Sequence, residues 1–337
     1  MTAPGKNWTL GNILATSSAY WQGCTLQAGV RLQLFTALAG CSQTVDELAG
    51  KLGVDRRGLE HLCNALTAMG LLCRSGADYR NSEAATTFLS KDSPTYKGHI
   101  ILHHHNLVDA WAQLHTAVKQ GIPVQERFTS EEEDRENFLL GMFNLAMDIA
   151  PRLVPQIDLT GRSHLLDLGG GPGTYAIHFC QANSSLTATI FDRSTTEPFA
   201  RRIVDQFHLG DRIAFIPGDF NRDSISGGPY DVAWLSHILH SNGPEECQQL
   251  IHKTVAAMAP GGLILIHDFI LENAKDAPLF PALFSLNMLV NNPEGRCYSE
   301  EEICAMLKEA GVRNISRHPF HGPNDSGVIC GMAGEKG

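Results

Sequence analysis

The sequence lacks an excess of positive charge, a long apolar run and a secretory signal, and each absence narrows what the protein can do. Lys and Arg total 26 against 36 Asp and Glu, a formal net charge of −10 at pH 7, which argues against general binding to nucleic-acid phosphates or anionic membranes. No apolar run approaches the roughly 18–20 residues that cross a bilayer. The segment 1–21 has one Lys and no apolar core, unlike a signal peptide. We therefore expect a cytoplasmic protein that binds neither nucleic acid nor membrane.

Paired cysteines are also missing. The nine cysteines are scattered, odd in number and never spaced as Cys-x-x-Cys, so a disulfide framework is not indicated and a reducing cytosol fits better. Hydrophobic residues make up 43% of the chain and charged residues 18%, which is a globular composition. A chain of 337 residues exceeds a typical single domain, so we expect two packed units.

Residues 1–96 are predicted to form a helical domain with a winged-helix pattern. One helix begins after the N-cap Thr44 and a second after Asp55, and a short hairpin follows at residues 71–80. Residues 54–80 contain four positively and three negatively charged side chains. A net charge of only one positive is weak evidence for DNA binding. A packing or dimerisation module is favoured, and a ligand-sensing winged-helix regulator is the alternative from a different class.

Residues 97–156 are predicted to form a helical linker that lines a substrate pocket. The histidines at 103–105 point in different directions on a helix, so three in a row do not close around one metal ion. Small-molecule sites are mostly apolar with a few placed polar groups, and the segment 280–292 has the same character. The candidate substrate-binding residues are Asn144, Met147, Phe284, Asn287 and Met288.

Residues 157–337 alternate between strand and helix patterns. This alternation predicts an α/β fold, a Rossmann-like, mostly parallel and doubly wound sheet of seven strands with helices on both faces. The predicted strands lie at 164–168, 187–192, 213–216, 231–235 and 262–266, with two more near 315–319 and 328–332.

A glycine-rich loop follows the first of these strands, where such sheets bind ligands. It runs from Asp167 to Gly173, and its glycines let the backbone approach a ligand closely. A dinucleotide fingerprint would need a further glycine at position 174, where Thr174 stands. The Gly-x-Gly-x-Gly spacing after an acid suits an adenosyl cofactor with an amino-acid tail and no pyrophosphate.

Two more acids lie at the ends of the second and third strands and favour the same cofactor. Asp192 can accept hydrogen bonds from both ribose hydroxyls, and Asp219 can accept one from an adenine amino group while Phe220 packs on the ring. Together with the loop, these acids predict binding of S-adenosylmethionine. The predicted cofactor-binding residues are Asp167, Gly169, Gly170, Gly171, Gly173, Asp192, Arg193, Gly218, Asp219, Phe220 and Ser236.

With these motifs, nearly the whole chain resembles the O-methyltransferases typified by plant caffeate and flavonoid enzymes, hydroxyindole enzymes and bacterial polyketide-tailoring enzymes. The resemblance implies a metal-independent enzyme that methylates a hydroxyl of an aromatic or similar small molecule. It also implies that the winged-helix segment mediates homodimerisation.

The resemblance assigns the catalytic base to a histidine shortly after the fourth strand, and His240 matches it. The Asp-Trp that usually follows is replaced by Ser241–Asn242. A family acid at the end of the fifth strand matches Asp268, which we expect to orient His240, whereas a second acid position is occupied by Cys297. His237 and His240 alone form no metal site without a third ligand, so no metal is predicted.

The missing carboxylate and the missing Asp-Trp leave a second interpretation open. The bound cofactor could assist a reaction other than methyl transfer, such as a decarboxylation or rearrangement, because neither fold nor cofactor fixes the chemistry. The sequence does not identify the acceptor molecule.

Overall fold

The computed structural model describes residues 7–124 and 132–334. It divides into two compact units, Met1–Leu107 and Val108–Gly337, and each has its own hydrophobic core. The sequence predicts three parts with boundaries at residues 96 and 156. That three-part division stays a prediction, because the structure divides the chain into two units at residue 107.

The first unit consists of helices around a small antiparallel sheet with the strand order β1-β3-β2. Its elements are α1 (Leu10–Ser17), α2 (Tyr20–Arg31), α3 (Leu34–Ala37), β1 (Gln43–Thr44), α4 (Val45–Leu52), α5 (Arg56–Ala68), β2 (Leu72–Ser75), β3 (Asp78–Asn81), α6 (Glu83–Leu89) and α7 (Gly98–His105).

The start of α4 shows why this sequence folds as predicted. The Thr44 hydroxyl accepts a hydrogen bond from the Glu47 N–H, and the Glu47 carboxylate accepts one from the Thr44 N–H, which is a capping box. Gly53 ends α4 in the left-handed conformation, with φ 65°, and Asp55 caps α5. The predicted helix–turn–helix and hairpin are confirmed.

The second unit is built on one large sheet with helices on both faces. Its elements are α8 (Val108–Ala112), α9 (Leu114–Gln120), α10 (Glu132–Leu153), β4 (His164–Leu168), α11 (Thr174–Ala182), β5 (Thr187–Asp192), α12 (Glu197–Gln206), β6 (Ile213–Pro217), β7 (Tyr230–Ser236), α13 (Pro244–Ala256), β8 (Met258–Leu271), α14 (Leu279–Asn291), β9 (Tyr298–Ser299), α15 (Glu300–Glu309), β10 (Arg313–His321) and β11 (Ser326–Met332).

The sheet has the strand order β10-β11-β8-β7-β4-β5-β6, and the short β9 pairs with the end of β8. The strands from β8 to β6 are parallel, whereas β11 and β10 are antiparallel to their neighbours. Successive residues of β4 point to opposite faces: Leu165 lies in the core beneath α10, α11 and α12, and Leu166 in the core beneath α13 and α15. The predicted doubly wound α/β sheet is confirmed.

One helix among the described residues is long and apolar enough to cross a membrane by length and composition alone. The segment Arg135–Gln156 reaches a mean hydropathy of 1.2 over 18 residues, where the sequence analysis expects no such run. Ile149, Ala150 and Leu153 from its second half are buried in the core of the second unit. A single helix of this kind is weak evidence for a membrane span, because core helices pass the same test.

Candidate active site

The glycine loop after β4 forms a shaped backbone cradle. Gly169, Gly171 and Gly173 have φ angles of 63°, 54° and 81°, a left-handed conformation that glycine adopts without steric cost. A Cβ built at Gly173 would lie 2.5 Å from Ile190 Cδ1, so the loop packs tightly onto β5. A Cβ built at Gly171 would have no atom within 4 Å. The loop is therefore closed against the sheet and open at its middle glycine, which fits a ligand that approaches the backbone.

Asp192, the last residue of β5, ties this loop to the sheet. Its carboxylate accepts hydrogen bonds from the backbone N–H groups of Gly171 at 2.8 Å and Arg193 at 2.6 Å, and from Thr196 Oγ1 at 3.3 Å. Burial raises the pKa of Asp192, and these hydrogen bonds oppose the rise. That it also accepts from ribose hydroxyls stays a prediction.

The residues after β6 join the same region. The N–H of Gly218 donates to the backbone oxygen of Asp192 at 2.9 Å, which brings the ends of β5 and β6 together. The Phe220 ring lies beside the glycine loop, because a Cβ built at Gly169 would be 3.1 Å from Phe220 Cε1. The predicted cofactor residues after three different strands are therefore neighbours in space.

Arg193 and Asp219 line a cavity of about 290 Å³, together with Arg222, Glu246 and Lys253 among others. Of the predicted cofactor residues, all of which the structure describes, only these two line it. The cavity is therefore a charged space at the β5 and β6 end of the site, separate from the glycine cradle itself.

Asp167 is a deeply buried carboxylate beneath the cradle. The residue is 1% exposed, and its Oδ2 accepts a hydrogen bond from the Ala176 N–H at 3.2 Å. Burial raises the pKa of Asp167 to about 7, against the lowering effect of that hydrogen bond, and the charge of Asp192 adds to the rise. A cation bound nearby would favour the ionised form, as the predicted ammonium group of the cofactor would.

Ser236, the last residue of β7, has a fixed partner. Its Oγ lies 2.9 Å from His267 Nδ1, and the Tyr175 hydroxyl lies 3.4 Å from the same nitrogen. Burial holds the pKa of His267 well below its ordinary value, so the ring is neutral. His267 thereby orients the hydroxyl of a predicted cofactor-binding residue.

The turn after β7 presents His240, whose side chain is 12% exposed. This turn is held from two sides, since Asn292 Nδ2 donates to the Ser241 oxygen at 2.8 Å and the Tyr298 hydroxyl donates to the Asn242 oxygen at 2.6 Å. The backbone around His240 is therefore fixed by groups from two later segments of the chain.

Asp268 is the partner of this histidine. Asp268 Oδ1 lies 2.7 Å from His240 Nδ1 and accepts the Phe269 N–H at 2.8 Å, while Oδ2 accepts the His240 N–H at 3.3 Å. Burial alone would raise the pKa of Asp268, but the rings of His240 and His237 outweigh it and hold the pKa below its ordinary value. Asp268 is therefore an ionised acceptor for the Nδ1–H of His240.

Asp268 does not end its strand, as the sequence analysis expects, because β8 continues to Leu271. The extension is paired with β11, where Asp268 lies opposite Gly327. The shared ladder with β7 does stop just before it, at the pair Ser236 and His267. Asp268 is thus the first residue of β8 beyond the end of β7, which puts it beside the turn that carries His240.

His237 joins the same carboxylate. Its Nδ1 lies 3.5 Å from Asp268 Oδ1, and one ligand atom from each of His237, His240 and Asp268 lies within 4.8 Å of the others. No metal is predicted from the two histidines alone, but the structure places Asp268 beside both of them as a third group with a ligand atom.

Cys297 occupies the position where the resemblance places a second carboxylate. The residue is 2% exposed, and its N–H donates to Ser285 Oγ at 3.2 Å. Burial raises the pKa of the Cys297 thiol to about 12, and the charge of Asp268 adds to the rise. A neutral thiol therefore stands here, and Asp268 alone among the described carboxylates is hydrogen-bonded to His240.

Aromatic rings surround His240. The Phe269 ring stacks on the His240 ring with centroids 6.0 Å apart, and the Phe284 ring meets it edge-on at 4.9 Å. Phe269 also packs against Phe284 at 4.7 Å and Phe280 at 4.9 Å. Phe284, a predicted substrate residue, is thus beside the histidine, in a wall suited to a flat apolar molecule.

Asn287 lies one helical turn from Phe284 on α14. The Trp111 Nε1–H donates to Asn287 Oδ1 at 2.9 Å, and an indole nitrogen can only donate. This contact fixes the orientation of the amide and leaves Asn287 Nδ2 with no partner among the described residues. Asn287 therefore presents a hydrogen-bond donor.

The other predicted substrate residues are less closely tied to the site. Asn144 and Met147 lie on α10, where Met147 Sδ is 3.4 Å from His178 Nε2, and Met288 lies on α14. No hydrogen bond in the described part of the chain joins the side chain of Met147 or Met288 to His240. Their substrate role, and that of Asn144, stays a prediction.

Three side chains that shape the site are not among the residues predicted from the sequence, namely Trp111, His267 and Phe269. Phe269 and His267 flank Asp268 at the same end of β8, so their position beside a predicted site residue in the sequence could have indicated them. Trp111 carries no such signal, because it is 176 residues from its partner Asn287.

Comparisons with known proteins identify the family of this chain. Residues 104–313 match the family model of an O-methyltransferase domain, and residues 14–91 match the O-methyltransferase dimerisation domain. The tetracenomycin polyketide synthesis 8-O-methyl transferase TcmO of Streptomyces glaucescens is 34% identical over 322 residues, which cover 93% of this chain and 94% of that protein. The 3-hydroxy-5-methyl-1-naphthoate 3-O-methyltransferase of Streptomyces sahachiroi is 30% identical over 331 residues, covering 96% and 95%.

One solved structure with the same architecture contains SAH. PigF with SAH has a TM-score of 0.89 and 26% identity, and the match covers 96% of this chain and 100% of that one. The family model spans most of the chain, and the relatives align over nearly their full length. The chain therefore belongs to the S-adenosylmethionine-dependent O-methyltransferases that act on small molecules.

Proposed function

We propose that this enzyme methylates a hydroxyl group of a small aromatic acceptor, with His240 as general base and Asp268 as its orienting partner. The observation that carries the proposal is the 2.7 Å contact between His240 Nδ1 and Asp268 Oδ1 in a wall of aromatic rings.

The hydrogen bond to Asp268 sets the tautomer of His240. An ionised carboxylate only accepts, so the ring proton of His240 lies on Nδ1 and the lone pair lies on Nε2. A phenol has a pKa near 10 and is a poor nucleophile until its proton begins to leave. Nε2 takes that proton as the oxygen attacks, which typically contributes about 10²–10⁴-fold to the rate. Asp268 stabilises the imidazolium that forms.

The predicted cofactor residues would hold S-adenosylmethionine at the ends of the strands. Bound there, it supplies an electrophilic methyl group for in-line displacement. The open side of Gly171 would admit the amino-acid tail of the cofactor, and ionised Asp167 would stabilise its positive charge, while Asp192 orders the loop. Arg193, Gly218, Asp219, Phe220 and Ser236 complete the site from the neighbouring strand ends. The protein's contribution is to align the two reacting atoms.

The acceptor is flat and carries a second oxygen. The rings of Phe269 and Phe284 give it a stacking surface beside His240. The free donor of Asn287, one helical turn away, suits a carbonyl or carboxylate near the hydroxyl that is methylated. The printed names of the relatives, a polyketide enzyme and a hydroxynaphthoate enzyme, support an acceptor of this class.

The test compares His240→Gln with a matched control, His252→Gln, at an exposed histidine on α13. Hydroxynaphthoates and other phenols are incubated with labelled S-adenosylmethionine, and calorimetry measures cofactor binding. We expect His240→Gln to bind the cofactor normally and to lose about 10²–10⁴-fold in kcat, while His252→Gln keeps both. A His240→Gln enzyme with a near wild-type rate overturns the assignment of the base. Cofactor binding without methylation of any acceptor favours the non-methylating interpretation.

The match to the dimerisation domain supports a homodimer, and we infer that the first unit provides its interface. A cytoplasmic location without nucleic-acid or membrane partners stays an expectation from composition.

A further inference from the structure

His237 has an arrangement that methyl transfer does not require. Its φ angle is 58°, a left-handed conformation that is uncommon for a residue with a side chain and persists only where surrounding contacts impose it. Its N–H donates to the His267 oxygen at 2.8 Å, and its ring packs 4.7 Å from His267 and 4.5 Å from Phe269. The backbone and these two rings aim the imidazole at Asp268.

The nitrogen that faces Asp268 is left unsatisfied. His237 Nδ1 is buried and has no hydrogen-bond partner among the described residues, because its 3.5 Å approach to Asp268 Oδ1 lacks the geometry of a hydrogen bond. A buried polar atom without a partner costs free energy and requires an explanation such as an ion. The unsatisfied nitrogen lies close to the other two groups, because one ligand atom from each of His237, His240 and Asp268 lies within 4.8 Å of the others.

We propose that His237, His240 and Asp268 bind a divalent transition-metal ion, with Zn²⁺ as the preferred ion, and that this ion inhibits the enzyme. Two imidazoles and one carboxylate are a common ligand set for zinc with an open fourth position. Nitrogen ligands also favour Zn²⁺ and Co²⁺ over Mg²⁺, which prefers oxygen.

The two separations from Asp268 can be compared with those around an ion of this size, and the ligand atoms of His237 and His240, which lie within 4.8 Å of each other, must move closer together to share it. Ligand atoms around a tetrahedral Zn²⁺ are roughly 3.3–3.5 Å apart, given bonds of about 2.0–2.2 Å. The His237–Asp268 separation of 3.5 Å already matches. The His240–Asp268 separation of 2.7 Å must open by about 0.6 Å, which follows when the proton of that hydrogen bond leaves Nδ1.

The fate of that proton explains the inhibition. A neutral imidazole carries one N–H, so when His240 Nδ1 gives its lone pair to the ion, the proton moves to Nε2 and no proton is lost overall. Nε2 then donates a hydrogen bond and cannot take the proton of the acceptor hydroxyl. The metal holds His240 in the wrong tautomer for catalysis. This inhibition rests on the proposed role of His240, whereas the binding of the ion does not.

The first experiment measures binding without reference to activity. The full-length protein is treated with chelator, dialysed and titrated with Co²⁺, whose visible absorption reports low-coordinate nitrogen and oxygen ligands, and Zn²⁺ is then added as a competitor. We compare the wild type with His237→Asn, because Asn tolerates a left-handed backbone, and with His252→Gln as a surface control. We expect one Co²⁺ per chain in the wild type and in His252→Gln, displaced by Zn²⁺, and at least about tenfold weaker binding in His237→Asn.

The second experiment measures methyl transfer with Zn²⁺, with Mg²⁺ and with chelator, each variant being compared with its own rate in chelator. We expect Zn²⁺ to inhibit the wild type and His252→Gln, Mg²⁺ to have no effect, and His237→Asn to need at least about tenfold more Zn²⁺. No Co²⁺ absorption in the wild type, or equal absorption and inhibition in His237→Asn, overturns the proposal. If Co²⁺ binding depends on His237 but Zn²⁺ does not inhibit methyl transfer, the result counts against His240 as the base. Circular dichroism checks that each variant is folded. If His237→Asn is unfolded, Asp268→Asn takes its place, and this variant should lose the Co²⁺ absorption.

Discussion

At the scale of single residues, Asp268 is the side chain on which the tautomer of His240 depends. Asp268→Asn replaces an obligatory acceptor with an amide that can also donate, so the proton of His240 is no longer held on Nδ1. We expect kcat to fall by about 10²–10⁴-fold with cofactor affinity retained. Steady-state kinetics and calorimetry measure the two quantities, and Asp276→Asn at an exposed acid is the control. A wild-type kcat in Asp268→Asn would show that the carboxylate does not orient the base.

Asp167 should make cofactor binding depend on pH. Burial raises the pKa of Asp167 to about 7, so the carboxyl is mostly protonated at pH 6 and mostly ionised at pH 8. A bound cation favours the ionised form, so its affinity should rise with pH up to about 8, and binding below pH 7 should release a proton. Calorimetry at both pH values, in buffers of different ionisation enthalpy, measures the affinity and the proton count. Asp167→Asn should bind less tightly and lose this pH dependence; if it keeps the dependence, another group is responsible.

At the scale of elements, the contact between α8 and α14 should control acceptor binding. Trp111→Phe keeps an aromatic ring but removes the N–H that fixes the Asn287 amide. Loss of one such hydrogen bond costs about 0.5–1.5 kcal/mol, so we expect the acceptor KM to rise about 2- to 10-fold with little change in kcat. Kinetics with a hydroxynaphthoate measure this split. Trp21→Phe, at a tryptophan 63% exposed in the first unit, should leave both constants unchanged.

Some elements can be predicted from their local sequence, and others cannot. Thr44, Gly53 and Asp55 specify the ends of α4 and α5 through their own hydrogen bonds and backbone angles, so the sequence alone predicts those helices. The proximity of His240 and Asp268 follows from the rule that parallel strands end at one edge.

Other features depend on pairing between distant segments and have no local signal. The extension of β8 past Asp268 exists because β11 pairs with Phe269 and β9 pairs with Ile270 and Leu271. The orientation of Asn287 exists because Trp111 donates a hydrogen bond to it. The raised pKa of Asp167 likewise reflects burial, which depends on the whole sheet and its covering helices.

At the scale of the whole molecule, the start of the first unit presents an apolar surface. Helix α1 has no buried residue, although Leu10, Ile13 and Leu14 are 72%, 52% and 60% exposed. A helix of eight residues is not stable in water without packing. Because the chain also matches the dimerisation domain over residues 14–91, we expect a second copy of the chain to cover α1.

Leu14→Asp should weaken that dimer. A carboxylate buried in an apolar interface lacks a partner, so we expect the variant to sediment as a monomer at concentrations where the wild type is a dimer. Asn12→Asp adds the same charge to α1 at a polar position and is the control. Sedimentation velocity over a range of concentrations makes the measurement, and a Leu14→Asp protein that remains a dimer would place the interface elsewhere.

The hydrogen bond from Trp111 to Asn287 also gives the enzyme an intrinsic optical reporter. Indole fluorescence responds to the polarity around its nitrogen, and Trp111 alone of the four tryptophans donates to a predicted acceptor-binding residue. Trp8 and Trp21 are exposed in the first unit, and Trp234 is fully buried in the sheet. Replacing Trp8 and Trp21 with Phe would leave an emission spectrum in which only Trp111 responds to an arriving acceptor. Unlabelled compounds could then be screened by the shift in the emission wavelength of Trp111, before any product is detected.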